Sequence, residues 1–187
     1  MSMERKPHSK IHASKEIFNN RKFSFVSEKI TLPNGIDAEM AFVRHPGSTV
    51  IVPVFEDGSV GLIKQFRHPV NQYLYEIPAG TMNPGEMPQN CAKRELEEET
   101  GYAAGQLIAL GWTFLLPAYS DECSYVYLAE KLTKTAQKLD PDEIIEVFHF
   151  SMQEIRDMID QDEIVDALSI LAIYRAMRYL EKTGGLP

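Results

Sequence analysis

The chain has 187 residues, 44% of them hydrophobic and 25% charged, with 19 basic against 27 acidic side chains and a net charge of −8. That length and composition suit one globular domain with a substantial core, and the acidic balance argues against partners such as nucleic acid or an anionic membrane. No apolar run reaches the roughly 18 residues of a membrane span, the N-terminus lacks the apolar core of a secretory signal, and Cys91 and Cys123 match no metal spacing, so reduced thiols and a cytoplasmic location are expected.

Residues 1–17 are polar and basic and are expected to be a flexible start. From Lys22 the pattern turns extended, and Pro33 ends the first run. Asn34-Gly35 is a hairpin signal, with Ile36 to Arg44 returning as the partner strand. Residues 18–46 therefore read as an N-terminal β unit, ahead of a main domain over residues 47–187. Thr49–Phe55 and Val60–Phe66 are β-rich apolar stretches, separated by a turn at Glu56-Asp57-Gly58-Ser59. Leu74–Pro78 is a short strand running into Ala79-Gly80. A helix is predicted from about Met87 to Thr100, with Pro88 in its first turn and Gly101 as its C-terminal cap. Gln106–Leu116, Cys123–Glu130 and Glu146–Phe150 follow as strands. Ser151 and Glu154 have capping-box spacing, which starts a helix running to about Asp160. A longer helix is predicted over Glu163–Lys182, with one broad apolar face. Strands interrupted and followed by helices predict an α/β (α+β) fold with a mixed sheet packed between helices.

The informative stretch is GTMNPGEMPQNCAKRELEEETGY, Gly80 to Tyr102. On the predicted helix Glu95, Glu98 and Glu99 share one face, at i, i+3 and i+4. They also lie near the helix C-terminus, where the helix dipole disfavours each carboxylate by about 0.3–1 kcal/mol. Bound cations would compensate for this, and carboxylates are hard oxygen ligands suited to Mg²⁺ or Mn²⁺. The bland alternative is a solvated acidic face. Cys91, on the same helix, reads as a buried structural thiol.

The stretch fits G-x5-E-x7-R-E-U-x-E-E-x-G-U, where U is bulky and apolar. Gly80, Glu86, Arg94, Glu95, Leu96, Glu98, Glu99, Gly101 and Tyr102 fill every specified position, Tyr102 a little loosely. This resembles the Nudix box. The resemblance implies an α/β/α sandwich and metal-dependent hydrolysis of nucleoside diphosphates linked to another moiety. Carried over by position, the metal ligands are Glu95, Glu98, Glu99 and the carbonyl of Ala79. Glu98 and Glu99 belong to the catalytic set, together with Arg94, which pairs with Glu86 to tie the loop to the helix. Glu97 falls at an unspecified position and is expected in solvent.

Features outside the box resemble the ADP-ribose pyrophosphatase branch. These are Gln65–Arg67, Glu76–Gly80, Pro117 with the Glu122 that follows it, and the tail DALSILAIY from Asp166 to Tyr174. The branch implies a nucleoside diphosphate sugar substrate, with ADP-ribose first and GDP-mannose or a broader sugar range as the alternative. It also implies a homodimer involving the N-terminal segment. A silent ligand sensor is a further alternative; such sensors carry a DNA-binding module, and none is legible here. In this branch the general base is a carboxylate from a loop after the box. Within Leu139–Glu143 the choice falls on Glu143, with Asp142 and Glu146 behind it. Arg67 is the candidate for a phosphate or ribose-phosphate contact, against a surface salt bridge. Glu122 is implied as a ribose contact. Tyr119 stands where relatives carry a small turn residue; it stacks on a base, narrows the sugar pocket or simply packs. Phe25 and Arg44, with Phe23, are candidates for adenine contacts across a dimer.

Overall fold

In the computed structural model, which describes residues 8–141 and 143–184, the first three strands form a sheet of their own. β1 (Lys10–Asn19), β2 (Ser24–Thr31) and β3 (Asp37–Arg44) pair antiparallel in the order β1-β2-β3. The Asn34-Gly35 turn closes as expected, with Leu32 N–H donating to the Ile36 carbonyl at 2.8 Å. β2 shows the period-two pattern of a half-buried strand, burying Val26, Glu28 and Ile30 on one face. The start of the chain departs from expectation. Residues 10–17 are not a flexible segment but most of β1, a strand with every position exposed. With no buried face there is no alternation to read, and its backbone pairing with β2 alone defines it.

Everything described up to Pro46, together with Leu116–Glu122, forms one unit; Gly47–Leu115 and the described chain from Cys123 onwards form the other. Within the first unit, Leu116–Glu122 is fastened to β3. Val43 N–H donates to the Tyr119 carbonyl at 2.8 Å, and Asp121 N–H donates to the Val43 carbonyl at 3.2 Å.

The second unit contains two sheets. β10 (Ile145–Phe150), β5 (Val60–Arg67) and β6 (Gln72–Glu76) pair antiparallel. The other sheet is mixed, in the order β7-β4-β9-β8, from β4 (Ser48–Pro53), β7 (Ala79–Thr81), β8 (Tyr102–Phe114) and β9 (Cys123–Lys134); β4 and β9 are parallel and the other pairs antiparallel. β4 and β5 sit in different sheets; across the Asp57 turn between them run a Val54–Val60 bridge and a hydrogen bond from Phe55 N–H to the Ser59 carbonyl.

Every residue of β4 is buried, as a strand covered on both faces requires. Val50 and Val52 pack with Val126, Leu128, Ala172, Ile173 and Ala176, the last three from α3 (Ala167–Thr183). Ile51 points the other way and packs with Ala92 and Leu96 of α1 (Pro88–Thr100). The alternation of one strand thus places a helix on each side of the sheet. α2 (Met152–Asp160) begins at the expected capping box: Ser151 Oγ accepts from Glu154 N–H and the Glu154 carboxylate accepts from Ser151 N–H.

The last helix starts later than its apolar periodicity predicts. Residues 163–166 are not helical, because α2 ends at Gln161, Asp162 adopts φ of 57°, and Asp166 becomes the N-cap of α3. Ile164 is still buried, as a loop residue. Among the described residues, no helix is long and apolar enough to cross a membrane.

Candidate active site

α1 carries the box. Met87 is its N-cap without a side-chain cap, Pro88 opens the first turn, and the backbone fixes the entry through Asn90 and Cys91 N–H donating to the Met87 carbonyl. Ahead of it, Glu86 folds back on its own loop by accepting from Asn83 N–H at 2.9 Å. Arg94 meets the Glu86 carboxylate with both arms, Nε to Oε1 at 3.0 Å and Nη2 to Oε2 at 2.9 Å. The same Nη2 donates to the Thr81 carbonyl at 3.2 Å. This planar fork joins loop, strand and helix in a way a lysine would not. The Arg94 hydrogen bonds hold the Glu86 carboxyl below its ordinary range.

Two of the three aligned glutamates meet the other side of Arg94. Its Nη1 donates to Glu95 Oε1 at 2.6 Å and to Glu98 Oε2 at 3.0 Å. Glu99 lies deeper, only 3% exposed, and its Oε2 accepts from Ala79 N–H at 2.9 Å. Burial pushes the Glu99 carboxyl well up, and the charges of Glu95 and Glu143 add to the effect. Burial also raises Glu95, with Arg94 pulling against it. Gly80 explains its place in the pattern. A β-carbon there would lie 1.9 Å from Glu95 Cδ, so only glycine leaves room for that carboxylate.

The cost of carboxylates near a helix C-terminus is met partly by an element the sequence did not announce. Gly101 caps α1 in the left-handed region, φ 72°, and its N–H donates to the Glu97 carbonyl at 2.9 Å. The segment after β9 covers the next carbonyls: Lys138 N–H donates to Glu98 O at 2.9 Å and Gln137 Nε2 to Glu99 O at 2.6 Å. That segment leads directly into the loop bearing Glu143. Glu143 Oε2 accepts from Asp140 N–H at 3.0 Å, and its charge acts on both Glu95 and Glu99. Glu146 is exposed on β10 opposite Lys64. Asp142 lies outside the described residues. Glu97 is half-buried and pairs with Lys138 at 3.3 Å, a surface pair rather than a bare solvated group. Cys91 is buried, as expected, against Thr49 Oγ1 at 3.3 Å.

The predicted substrate contacts divide between the units. Arg67 stands on β5 in the second unit and holds Glu76 through Nε and Nη2, at 2.9 and 2.6 Å. The ion pair that was the alternative is thus present, made by a partly exposed guanidinium to a buried carboxylate. Phe25, Arg44, Tyr119 and Glu122 belong to the first unit. Phe25 pairs with Val43 across β2 and β3, beside Arg44. Arg44 donates to the buried Glu28 at 2.7 Å and lies 3.8 Å from Asp121. Glu122 lies 3.8 Å from His45 Nδ1. Tyr119 is 67% exposed and its carbonyl is the group bound to β3, which leaves the ring outside any packed core.

Among the described residues, no three His, Cys, Asp or Glu side chains converge on one point; Arg94 draws Glu95 and Glu98 towards itself. The donor set nevertheless fits a hard divalent cation. Two buried carboxylates with raised affinity for protons, a third beside them, and a glycine clearance at Gly80 give oxygen ligands whose charge lacks full compensation. Sequence reasoning gave no role to Ser169, whose Oγ accepts from Ile77 N–H ahead of β7, or to Gln137, whose Nε2 donates to the Glu99 carbonyl. The Asp166–Ser169 spacing is an N-cap signal, hidden because the apolar pattern continues upstream of it.

Residues 44–168 match the family model described as the NUDIX domain. The chain is 36% identical to an ADP-ribose pyrophosphatase of Bacillus subtilis (strain 168) over 163 residues, covering 86% of this chain and 88% of that protein. It is 32% identical to a methanol dehydrogenase activator of Bacillus methanolicus over 162 residues, with coverage of 86% and 88%. A solved structure titled as the crystal structure of an ADP compounds hydrolase superposes with a TM-score of 0.80 at 21% identity, covering 94% of this chain and 96% of that one. The box, its helix between loop and strand, and the match over most of the chain agree: this protein belongs to the Nudix family of hydrolases.

Proposed function

We propose that the chain hydrolyses the pyrophosphate bond of ADP-ribose or a closely related nucleoside diphosphate sugar, with Mg²⁺ as the metal and Mn²⁺ able to replace it. The observation that carries this reading is the buried Glu99 carboxylate, held by Ala79 N–H beside Glu95 and Glu98. The likeness to an ADP-ribose pyrophosphatase along 86% of the chain supports the substrate class.

Glu95, Glu98, Glu99 and the Ala79 carbonyl would hold the metal. When bound, it neutralises charge on the phosphate oxygens and lowers the pKa of water. In the reaction, water attacks one phosphorus, and the bond to the bridging oxygen breaks. That oxygen leaves with the second phosphate, giving a nucleoside monophosphate and a sugar phosphate. Glu143 is assigned the proton of the attacking water, and the influence of its charge on Glu95 and Glu99 supports this. Arg94 fixes the loop and the glutamates. Arg67 uses Nε and Nη2 on Glu76, and a guanidinium has five N–H donors, so its Nη1 is assigned to a phosphate oxygen. As the family resemblance implies, Glu122 is assigned to a ribose hydroxyl; Tyr119 is assigned to the base or the sugar, and Phe25 and Arg44 are assigned to adenine contacts across a dimer. The exposed β1, with apolar Ile11, Ile17 and Phe18 at its surface, supports a homodimer, and sedimentation velocity tests it. A cytoplasmic location completes the proposal.

A substrate panel tests the reading. With Mg²⁺ present, ADP-ribose is expected to give AMP and ribose 5-phosphate faster than GDP-mannose, UDP-glucose, NADH or diadenosine polyphosphates are cleaved. Faster cleavage of GDP-mannose would replace the substrate assignment, and no cleavage of any member would overturn the reaction.

A further inference from the structure

The short link between β6 and β7 crosses from one sheet of the second unit to the other. It consists of Ile77 and Pro78, and belongs to neither strand ladder. Pro78 has no N–H, so Ile77 supplies the only backbone donor between Glu76 and Ala79. Ile77 is 1% exposed, and a buried N–H needs a partner. The partner comes from the far end of the chain. Ser169, itself fully buried in the first turn of α3, accepts from Ile77 N–H through Oγ at 2.9 Å. Its single hydroxyl proton goes to Asp166 Oδ2 at 2.6 Å, which fixes the direction of the Ile77 bond. Asp166 also caps α3 by accepting from Ser169 N–H at 2.8 Å.

The neighbouring residues are anchored one by one by other elements. Glu76 is held by Arg67 of β5, the Pro78 carbonyl accepts from Ile51 N–H of β4 at 2.9 Å, and Ala79 N–H donates to Glu99 of α1. Of the four anchors, the α3 one alone acts on the link through an uncharged buried hydroxyl oriented by a helix cap. Ile77 stands two residues ahead of Ala79, so a shift there works against the Ile51 anchor at Pro78 and, through it, on the Ala79 carbonyl and the N–H that positions Glu99.

We propose that Ser169, oriented by Asp166, is a positioning residue for the metal site: it holds the Ile77–Pro78 link so that the Ala79 carbonyl and the Glu99 carboxylate face one cation. The inference rests on the assignment of Ala79, Glu95, Glu98 and Glu99 as metal ligands. Groups hydrogen-bonded directly to a metal ligand change metal affinity by about 10- to 100-fold; Ser169 acts on Ala79 through Ile77 and Pro78, so an effect at the lower end of that range is expected.

The test is a direct Mn²⁺ titration of the full chain, followed by the electron paramagnetic resonance signal of free Mn²⁺, beside a thermal melt of each variant. Ser169→Ala is expected to weaken Mn²⁺ binding by about tenfold or more. Leu180→Ala, a core truncation near the other end of the same helix, is expected to lower the melting temperature while leaving Mn²⁺ affinity unchanged. Unchanged Mn²⁺ affinity in Ser169→Ala would overturn the inference and leave Ser169 a packing residue. Where Ser169→Ala gives no folded protein, Asp166→Ala decides by the same readout. Glu99→Gln separates the two levels of the argument: if it binds Mn²⁺ like the wild type, the ligand assignment fails and the inference falls with it. Loss in Glu99→Gln without loss in Ser169→Ala defeats the inference alone.

Discussion

Glu99 Oε2 accepts from Ala79 N–H at 2.9 Å, which joins the most buried carboxylate of α1 to the first residue of β7. Helix and strand therefore fix one another at the buried end of the box. Glu99→Gln preserves the shape and an acceptor for Ala79 but removes the charge. It is expected to lower kcat by about 10³-fold, equivalent to about 4 kcal/mol of lost charge stabilisation. In metal-free protein the same change is expected to raise the melting temperature, because it removes a buried carboxylate that burial and Glu95 disfavour. Steady-state kinetics with Mg²⁺ and a melt in chelator check the two halves. For Glu143→Gln a fall in kcat of about 10²-fold or more is expected, with Mn²⁺ affinity unchanged.

Gly80 faces Glu95 so closely that a β-carbon would lie 1.9 Å from its carboxyl carbon. The clash falls on the end of a flexible side chain, so Gly80→Ala is expected to fold and to displace the carboxylate. Mn²⁺ affinity should drop about tenfold or more while the far-ultraviolet spectrum stays unchanged. Wild-type affinity in this variant would show that Glu95 is not a ligand.

Cys91 is fully buried, and burial pushes its thiol up from 9.0 to about 12. The thiolate fraction is then about 10³-fold below that of an ordinary thiol, so native protein at neutral pH is expected to be alkylated at the half-exposed Cys123 first. Mass spectrometry before and after denaturation locates the label. Rapid labelling of Cys91 in native protein would contradict the packing described for α1.

The capping box at α2 gives a pH-dependent contribution with a definite sign. Ser151 holds Glu154 below its ordinary 4.5, through its hydroxyl first and its backbone N–H second. The folded value is depressed, so the contribution is present above the unfolded value and is lost as pH falls through the folded one. In Ser151→Ala the Glu154 value should return towards 4.5 in a carboxyl NMR titration. The melting temperature should be lower than that of the wild type at neutral pH, with a difference that shrinks in acid.

The box was legible because its chemistry is local. Glu95, Glu98 and Glu99 share a helix face by periodicity alone, and Glu86 reaches Arg94 within the same loop–helix segment. The capping box at Ser151 and the turn at Asn34-Gly35 are local in the same way. What failed was equally specific. β1 has no buried face, so nothing in its composition separates it from a flexible start. The predicted start of the last helix was too early because Ile164 is apolar for the core while the chain around it turns.

Only the tertiary structure decided how the glutamates differ. Sequence set them on one face; burial against Ala79 and Gly80 made Glu99 and Glu95 the desolvated pair and left Glu98 more exposed. Gln137 and Lys138 from the segment after β9, and Ser169 from α3, are distant in sequence from the groups they meet, and in each bond the partner is a backbone carbonyl or N–H that carries no residue signature. A pattern of side chains names the chemistry, but the hydrogen bonds that aim it have a backbone group at one end, and those exist only once the sheets and helices have packed.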